Sequence, residues 1–232
     1  MHRREPGGDR TLLFLPGFMI AASSYTALLE PLGVSLVVPQ LYPRGLAALR
    51  GKHSVTAEAA AVAALVADIP GRVFLAGHSR GGQAAWLAAG ALGGHVAGLC
   101  LVDPVDGQGR RPVRDLSTRR GTEYAGSTWI IGAGVAGPCA PVGANHEQFA
   151  RATPQAVQLV VPDLGHADIL QGRARGLGRR LCGGGRNPDA ARALCTGLLA
   201  AFMAGEPTGA VSSRAKALVV RTSGSDTDCL FR

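Results

Sequence analysis

The sequence has 232 residues, of which 47% are hydrophobic, and it is therefore long enough for one domain with a buried core. No apolar run approaches the roughly 18 residues that cross a bilayer, which argues against a transmembrane protein. The net charge of +8 comes mainly from arginine-rich stretches at 110–120 and 173–192, but aromatic residues form only 5% of the chain and are not interleaved with these arginines, so we expect no nucleic-acid partner.

Short, continuously apolar segments alternate with alanine-rich segments along the chain. The apolar segments predict strands at 11–15, 34–38, 73–76, 96–102, 128–131 and 156–161. The segments between and after them predict helices at 24–32, 54–69, 83–91 and 187–203. Apolar strands separated by helices indicate an α/β fold, with a mostly parallel sheet that is covered on both faces.

The same pattern predicts the domain organisation. Residues 11–205 are expected to form a single α/β domain. Residues 1–10 form a short basic extension that lacks the apolar core of a secretory signal. Residues 206–232 are polar, without a regular pattern, and are expected to form an irregular C-terminal tail.

The segment with the most specific chemistry is 77–81, which reads Gly-His-Ser-Arg-Gly between a predicted strand and an alanine-rich helix. A Gly-x-Ser-x-Gly on such a turn is typical of the nucleophile elbow, which strains the serine backbone and leaves no room for side chains at Gly77 and Gly81. In a chain with 33 glycines the pentapeptide alone is a weak signal, and the alternative is a glycine-rich turn with an incidental serine. The flanking strand and helix make Ser79 the candidate nucleophile.

A serine hydroxyl needs a histidine base, and ligands of parallel α/β sheets bind beyond the carboxyl ends of the strands. Of the six histidines, only His146 and His166 follow such ends, while His78 on the elbow is expected to point away from Ser79. His166 follows the last predicted strand, where hydrolases with the order serine, acid, histidine place the base. His146 is the alternative, although it could simply open a short helix.

The base in turn needs a carboxylate that orients it. Asp103 ends the strand after the elbow strand, and Pro104 is expected to hold it in an extended conformation. The alternative interpretation of Asp103 is a turn-forming aspartate before proline. Glu147 and Asp106 are the rival acids, whereas Asp168 is expected to be a helix cap.

An oxyanion hole requires two backbone N–H donors, each worth about 3 kcal/mol in the transition state. The residue after the nucleophile, Arg80, supplies one, and Phe18 supplies the other because Gly17 allows the loop after the first strand to approach closely. Phe18, Met19 and Ile20 could also form an apolar rim that binds substrate. Such residues are more often part of the core.

Longer segments around these residues resemble the chlorophyllases. The similar segments occur in the same order over residues 12–205 and lie at 77–82, 102–107, 139–141, 145–149 and 165–170. The resemblance implies an α/β-hydrolase fold, a triad of Ser79, Asp103 and His166, and hydrolysis of the ester that joins chlorophyll to phytol. It also implies a chlorophyll or a related phytylated tetrapyrrole as substrate, peripheral membrane contact and a chloroplast location. Because the sequence begins close to the first predicted strand, we expect the first strands of that fold to be absent. We also expect no clear transit peptide, which leaves a cytoplasmic location open.

Two other functions stay open at this point. The first is a general lipase or carboxylesterase with the same fold, and the second is a non-catalytic binding protein on that scaffold. We expect no metal and no organic cofactor, because the five cysteines lack the spacing of a zinc site and serine ester hydrolysis consumes only water. Free or partly paired thiols are expected instead.

Overall fold

The computed structural model describes residues 2–4, 9–41, 54–107, 116–207 and 219–222. These residues form one eight-stranded sheet in the spatial order β1-β3-β2-β4-β5-β6-β7-β8. The strands are β1 (His2–Arg4), β2 (Arg10–Leu15), β3 (Ser35–Val38), β4 (Arg72–His78), β5 (Val96–Val102), β6 (Thr128–Val135), β7 (Val157–Gly165) and β8 (Val219–Thr222). The six central strands are parallel, and β1 and β8 pair antiparallel at the two edges.

Helices connect the parallel strands. They are α1 (Thr26–Leu29), α2 (Val55–Ala67), α3 (Arg80–Leu92), α4 (His146–Ala152), α5 (Gly172–Cys182) and α6 (Pro188–Ala204). Side-chain caps begin three of them, because Ser54, Asn145 and Asn187 accept hydrogen bonds from the N–H groups of Ala57, Glu147 and Ala190, respectively. Within the described ranges, no helix is both long enough and apolar enough to span a bilayer.

The sheet separates two apolar layers. Along β2, Leu12 and Phe14 pack on the side of α1 and α6, whereas Leu13 and Leu15 pack on the side of α2 and α3. Successive side chains of a strand point to opposite faces, so burial of both faces requires an apolar residue at almost every position. The prediction of a mostly parallel, doubly covered sheet is confirmed.

The chain ends differ from the prediction. Strand β1 lies within the predicted basic extension, and β8 lies within the predicted irregular tail. An edge strand is held on one side by backbone hydrogen bonds and does not need the apolar pattern of a central strand. An antiparallel strand therefore precedes the first predicted strand, contrary to the expectation that the first strands are absent. Much of the predicted tail, at 208–218 and 223–232, lies outside the described residues, as do residues 110–115 of the first arginine-rich stretch.

A disulfide joins Cys139 to Cys182 and fastens the loop after β6 to the end of α5. Cys100 and Cys195 are free thiols in the core, so the cysteines are partly paired. The fifth cysteine, Cys229, lies outside the described residues.

Candidate active site

The elbow between β4 and α3 forces Ser79 into a strained conformation, with φ 55° and ψ −126°. Its N–H donates to the Val102 carbonyl oxygen at 3.2 Å, and its own carbonyl oxygen accepts from the Gln83 N–H at 3.2 Å. A side chain at Gly77 would collide with the backbone of Gly81, and one at Gly81 would collide with the loop after β2. The steric reason expected for both glycines is present in the structure.

A hydrogen-bonded chain links Ser79 to the two residues proposed to assist it. His166 Nε2 lies 3.0 Å from the Ser79 Oγ, and His166 Nδ1 lies 2.6 Å from Asp103 Oδ2. The three residues follow β4, β5 and β7, whose carboxyl ends meet at one edge of the sheet. With its Nδ1 proton donated to the carboxylate, the imidazole can accept the serine proton on Nε2.

Asp103 is almost completely buried, with 2% exposure. Burial by itself raises the pKa of a carboxyl group, but the hydrogen bond and the electrostatic interaction with His166, the electrostatic interaction with His146 and the Ala133 N–H at 3.1 Å together outweigh burial and hold the pKa of Asp103 below its ordinary value. The carboxylate is therefore charged at neutral pH and can stabilise a protonated imidazole.

The backbone of Asp103 differs from the prediction. Its φ is 40°, not the extended conformation expected before Pro104. The Asp103 N–H donates to the Ile131 carbonyl oxygen at 2.6 Å. This contact with the neighbouring strand and the bond to Ala133 fix the turn that directs the carboxylate to His166.

The structure does not bring the rival acid Asp106 to the base. Asp106 accepts hydrogen bonds from Gln83 Nε2 at 2.7 Å, from the Ser117 N–H at 3.0 Å and from the Thr118 N–H and hydroxyl at 2.8 and 2.7 Å. It therefore anchors the turn at 117–120 to α3.

The rivals His146 and Glu147 also have other partners. His146 Nδ1 lies 2.8 Å from the Gln158 side-chain amide, and the ring packs in the interior at the start of α4. Glu147 is partly exposed and pairs with Arg151, four residues along the helix, at 3.2 Å. The alternative interpretation of His146, that it opens a helix, agrees with this placement.

Both predicted oxyanion donors lie beside the elbow. Arg80 is the first residue of α3, so its N–H has no acceptor within the helix and lies at the positive end of the helix dipole. The loop after β2 packs against the nucleophile, because a Cβ added to Gly17 would lie 3.3 Å from the Ser79 Cβ. The Gly17 N–H donates to Tyr25 Oη at 2.8 Å, and Phe18, the proposed donor, follows it in the loop.

The predicted substrate rim forms a tight turn. The Ile20 N–H donates to the Gly17 carbonyl oxygen at 3.1 Å, and Met19 has a φ of 66°, which is unusual for a residue with a side chain. Phe18, Met19 and Ile20 are all partly buried, and Ile20 packs against the core. The alternative interpretation of these three residues, that they belong to the core, therefore holds for part of the Ile20 side chain.

A buried ion pair fixes the side chain of Arg80. Its Nε and one terminal nitrogen donate to the two carboxylate oxygens of Glu58 on α2 at 3.0 and 2.9 Å. The guanidinium also lies under the Phe18 ring, 5.7 Å from its centroid. Arg80 therefore connects the elbow, α2 and the loop after β2. No local pattern in the chain indicated Glu58 as its partner.

Sequence reasoning also missed the role of Asp168. Asp168 is completely buried, pairs with Arg179, and accepts from the N–H groups of Gly165 and Gly185, each at 2.7 Å. The expectation of a helix cap is wrong, because these partners come from the His166 loop, from α5 and from the loop before α6. Asp168 thus holds the loop that carries His166.

Beneath the site, two buried side chains join the loops that carry the candidate residues. Tyr25 Oη lies 2.8 Å from His78 Nδ1, and His78 Nε2 lies 3.0 Å from the His166 carbonyl oxygen. Burial and the neighbouring His166 lower the pKa of His78 to about 3, and burial raises the pKa of Tyr25. The histidine was visible in the elbow motif, but nothing in the sequence indicated its tyrosine partner.

A comparison with family models matches the chlorophyllases over residues 2–220. Among curated proteins, the chain is 29% identical to Chlorophyllase-1, chloroplastic, of Citrus unshiu, over 86% of this chain and 69% of that protein. It is 28% identical to Chlorophyllase-2 of Arabidopsis thaliana, over 86% of this chain and 74% of that protein.

Solved structures show the same architecture. Est1E of Butyrivibrio proteoclasticus, solved with ferulic acid bound, aligns with a TM-score of 0.56 at 14% identity, over 84% of this chain and 92% of that one. An α/β-hydrolase enzyme from the metagenome of Mar Chica lagoon sediments aligns with a TM-score of 0.56 at 19% identity, over 78% and 95% of the two chains. At these identities the likeness concerns the fold alone, and the α/β-hydrolase fold implied by the resemblance is confirmed. The relatives support a hydrolase of the serine-esterase type, and since the family match covers nearly the whole sequence, the chain belongs to the chlorophyllase family.

Proposed function

We propose that the protein is a serine esterase that hydrolyses the phytyl ester of chlorophyll to chlorophyllide and phytol. The observation that carries the proposal is the hydrogen-bonded chain from Ser79 through His166 to Asp103 at the carboxyl edge of the sheet. Family membership supports a chlorophyll or a related phytylated tetrapyrrole as the substrate.

The first half of the reaction forms an acyl-enzyme. The Ser79 Oγ attacks the ester carbonyl carbon while His166 Nε2 takes the hydroxyl proton, and the Asp103 carboxylate stabilises the imidazolium. The N–H groups of Phe18 and Arg80 hold the negative oxygen of the tetrahedral intermediate. When the intermediate collapses, His166 gives its proton to the phytyl oxygen, and phytol leaves.

Water completes the reaction. His166 takes a proton from water, whose oxygen attacks the acyl carbon, and the proton then returns to the Ser79 oxygen as chlorophyllide departs. The balance consumes one ester and one water and requires no metal or organic cofactor of the protein. Magnesium in the site would belong to the substrate. Phe18, Met19 and Ile20 form the apolar rim that contacts the substrate.

Chromatographic detection of chlorophyllide from the purified protein tests the proposal. The Ser79→Ala variant should lower turnover of chlorophyll a at least a thousandfold, because the nucleophile is lost. Ser23→Ala, which changes an exposed serine, is the matched control and should leave turnover unchanged. Full turnover by the Ser79→Ala variant would reject the mechanism.

A substrate panel separates the proposed activity from the open alternatives. Chlorophyll a, pheophytin a and short p-nitrophenyl esters are compared with the same protein preparation. Hydrolysis of the short esters without the phytyl esters would indicate a general lipase or carboxylesterase. Failure of a fluorophosphonate probe to label Ser79, with no turnover of any ester, would indicate a binding protein.

We also propose peripheral contact with an anionic membrane surface. The outer stripe of α5 exposes Leu177 by 60% and Leu181 by 54%, with Arg173 and Arg180 beside them. Leucines flanked by arginines on one helix face suit a bilayer that contains anionic lipid. The Leu177→Ala, Leu181→Ala double variant should sediment about tenfold less with vesicles of phosphatidylcholine and phosphatidylglycerol. Equal sedimentation of variant and parent would contradict the contact.

The relative from Citrus unshiu is named chloroplastic, and on this basis we propose a chloroplast location for the protein. Fractionation of source cells, followed with an antibody against this chain, tests the location. Recovery in the cytoplasmic fraction alone would contradict it.

A further inference from the structure

A chain of buried hydrogen bonds runs beneath the candidate active site. The Gly17 N–H, the Tyr25 hydroxyl, the His78 imidazole and the His166 carbonyl oxygen follow one another at 2.8, 2.8 and 3.0 Å. Tyr25 is completely buried, and His78 is 2% exposed. Neither side chain is used in the proposed reaction.

The partners at the two ends determine the direction of every bond. The Gly17 N–H can only donate, so the Tyr25 oxygen accepts from it. The His166 carbonyl oxygen can only accept, so His78 Nε2 carries a proton. In the neutral ring Nδ1 is then an acceptor, and the Tyr25 hydroxyl donates to it. Each group in the chain is satisfied only when His78 is neutral and protonated on Nε2.

The chain joins the three loops on which the proposed reaction depends. Gly17 directly precedes the proposed oxyanion donor Phe18, His78 directly precedes the nucleophile, and His166 is the proposed base. The rings of His78 and His166 are also in contact, with centroids 4.6 Å apart. A shift of any one loop would break a bond of the chain.

We propose that Tyr25 and His78 are positioning residues, which hold the oxyanion loop and the base at fixed distances from the Ser79 hydroxyl. This inference rests on the proposed esterase function. A fully satisfied buried polar network favours a single arrangement, and misplacement by about 1 Å of groups that act on a reacting centre can cost about a hundredfold in rate. The two residues therefore act through His166 and Phe18 and do not contact the substrate.

A purely structural role would give a different result. The Tyr25 ring packs against Phe14, with centroids 5.0 Å apart, and this packing survives the change Tyr25→Phe. Tyr124→Phe is the matched control, because Tyr124 is also buried and its hydroxyl donates to the Val96 carbonyl oxygen at 3.1 Å, at the opposite end of β5. Both changes delete one buried tyrosine hydroxyl, but only one touches the loops of the site.

The test measures kcat and KM for a p-nitrophenyl ester and counts competent sites by fluorophosphonate labelling. Tyr25→Phe should lower kcat per labelled site 10- to 100-fold with KM changed less than about twofold, whereas Tyr124→Phe should leave kcat unchanged. His78→Gln keeps a donor for the His166 carbonyl oxygen and should retain more activity than His78→Phe. His78→Phe also leaves the buried Tyr25 hydroxyl and the His166 carbonyl oxygen without their partner, so it should also be the less stable of the two variants.

Each outcome decides the inference. Unchanged kcat in Tyr25→Phe, or equal losses in Tyr25→Phe and Tyr124→Phe, would overturn the positioning role while leaving the esterase function intact. If the parent protein neither turns over an ester nor reacts with the fluorophosphonate, both proposals fall. If a variant does not fold, ¹⁵N spectra of the histidine-labelled parent protein still test the inference. A protonated Nδ1 on His78 would contradict the proposed hydrogen-bond directions and overturn the positioning role.

Discussion

Acidification should destabilise the protein through His78. The pKa of this imidazole is lowered from its ordinary value of 6.5 to about 3, chiefly by burial and also by His166. Between these two values the unfolded chain binds a proton that the folded chain does not, so stability rises with pH and is lost as the pH falls through the window. The slope approaches 1.4 kcal/mol per pH unit, and integration from pH 6 to pH 4 gives about 2.5 kcal/mol.

Urea unfolding of the parent and of His78→Gln at pH 6, 5 and 4 measures this loss. Fluorescence of the buried Trp86 and Trp129 reports unfolding. The free energy of unfolding of the parent, relative to the variant, should fall by about 2.5 kcal/mol between pH 6 and pH 4. The comparison cancels the pH-dependent contributions of groups that both proteins share. One of them is Asp103, whose lowered pKa means that its carboxylate also loses stabilising free energy when it is protonated at low pH.

Parallel stability curves would refute the reasoning. They would mean that His78 accepts a proton in the folded protein without penalty, which a ring with 2% exposure and a hydrogen-bonded Nδ1 should not do. A parent that loses less stability than the variant would reverse the sign and exclude the neutral buried ring.

Three further changes test other contacts of the structure. Asp103→Asn should lower kcat for a p-nitrophenyl ester about a thousandfold or more, because an amide favours the wrong tautomer of the base; a loss below tenfold would contradict its role. Glu58→Met should lower the free energy of unfolding in urea by about 3 kcal/mol by leaving Arg80 buried without its carboxylate, and adding Arg80→Met should restore most of it; equal stability of parent and single variant would oppose this. Replacing Cys139 and Cys182 by serine should cost about 4 kcal/mol in urea unfolding, because the bond closes a loop with a sequence separation of 43; reductant should then leave the variant unaffected but destabilise the parent.

Elements with a local signal could be predicted from the sequence. Strand β5 lies at Val96–Val102, where the apolar run placed it, and Ser54 and Asn187 cap the helices that they were expected to begin. Helix α5 was not predicted, because three of its eleven residues are glycines, which disfavour a helix interior, and four are arginines, which leave few apolar residues to mark it. Its packing against the rest of the fold stabilises it in spite of this composition.

The residues of the candidate site also fall into those that could be predicted from the sequence and those that could not. Ser79, Asp103 and His166 could be selected because the carboxyl ends of parallel strands meet at one edge, and the structure places the three within hydrogen-bonding distance. The roles of His78 and Asp168 could not be predicted. Their partners come from segments whose mutual approach no local pattern encodes.

By itself, the amino-acid sequence determined which segments become buried strands and which reactive residues stand at their ends, because both follow from side-chain periodicity and turn chemistry along the chain. Only the tertiary structure decided which buried polar groups bond to one another. A hydrogen bond requires two heavy atoms about 3 Å apart, and for Tyr25 and His78, 53 residues apart in the chain, that distance is set by the packing of an entire sheet and its helices.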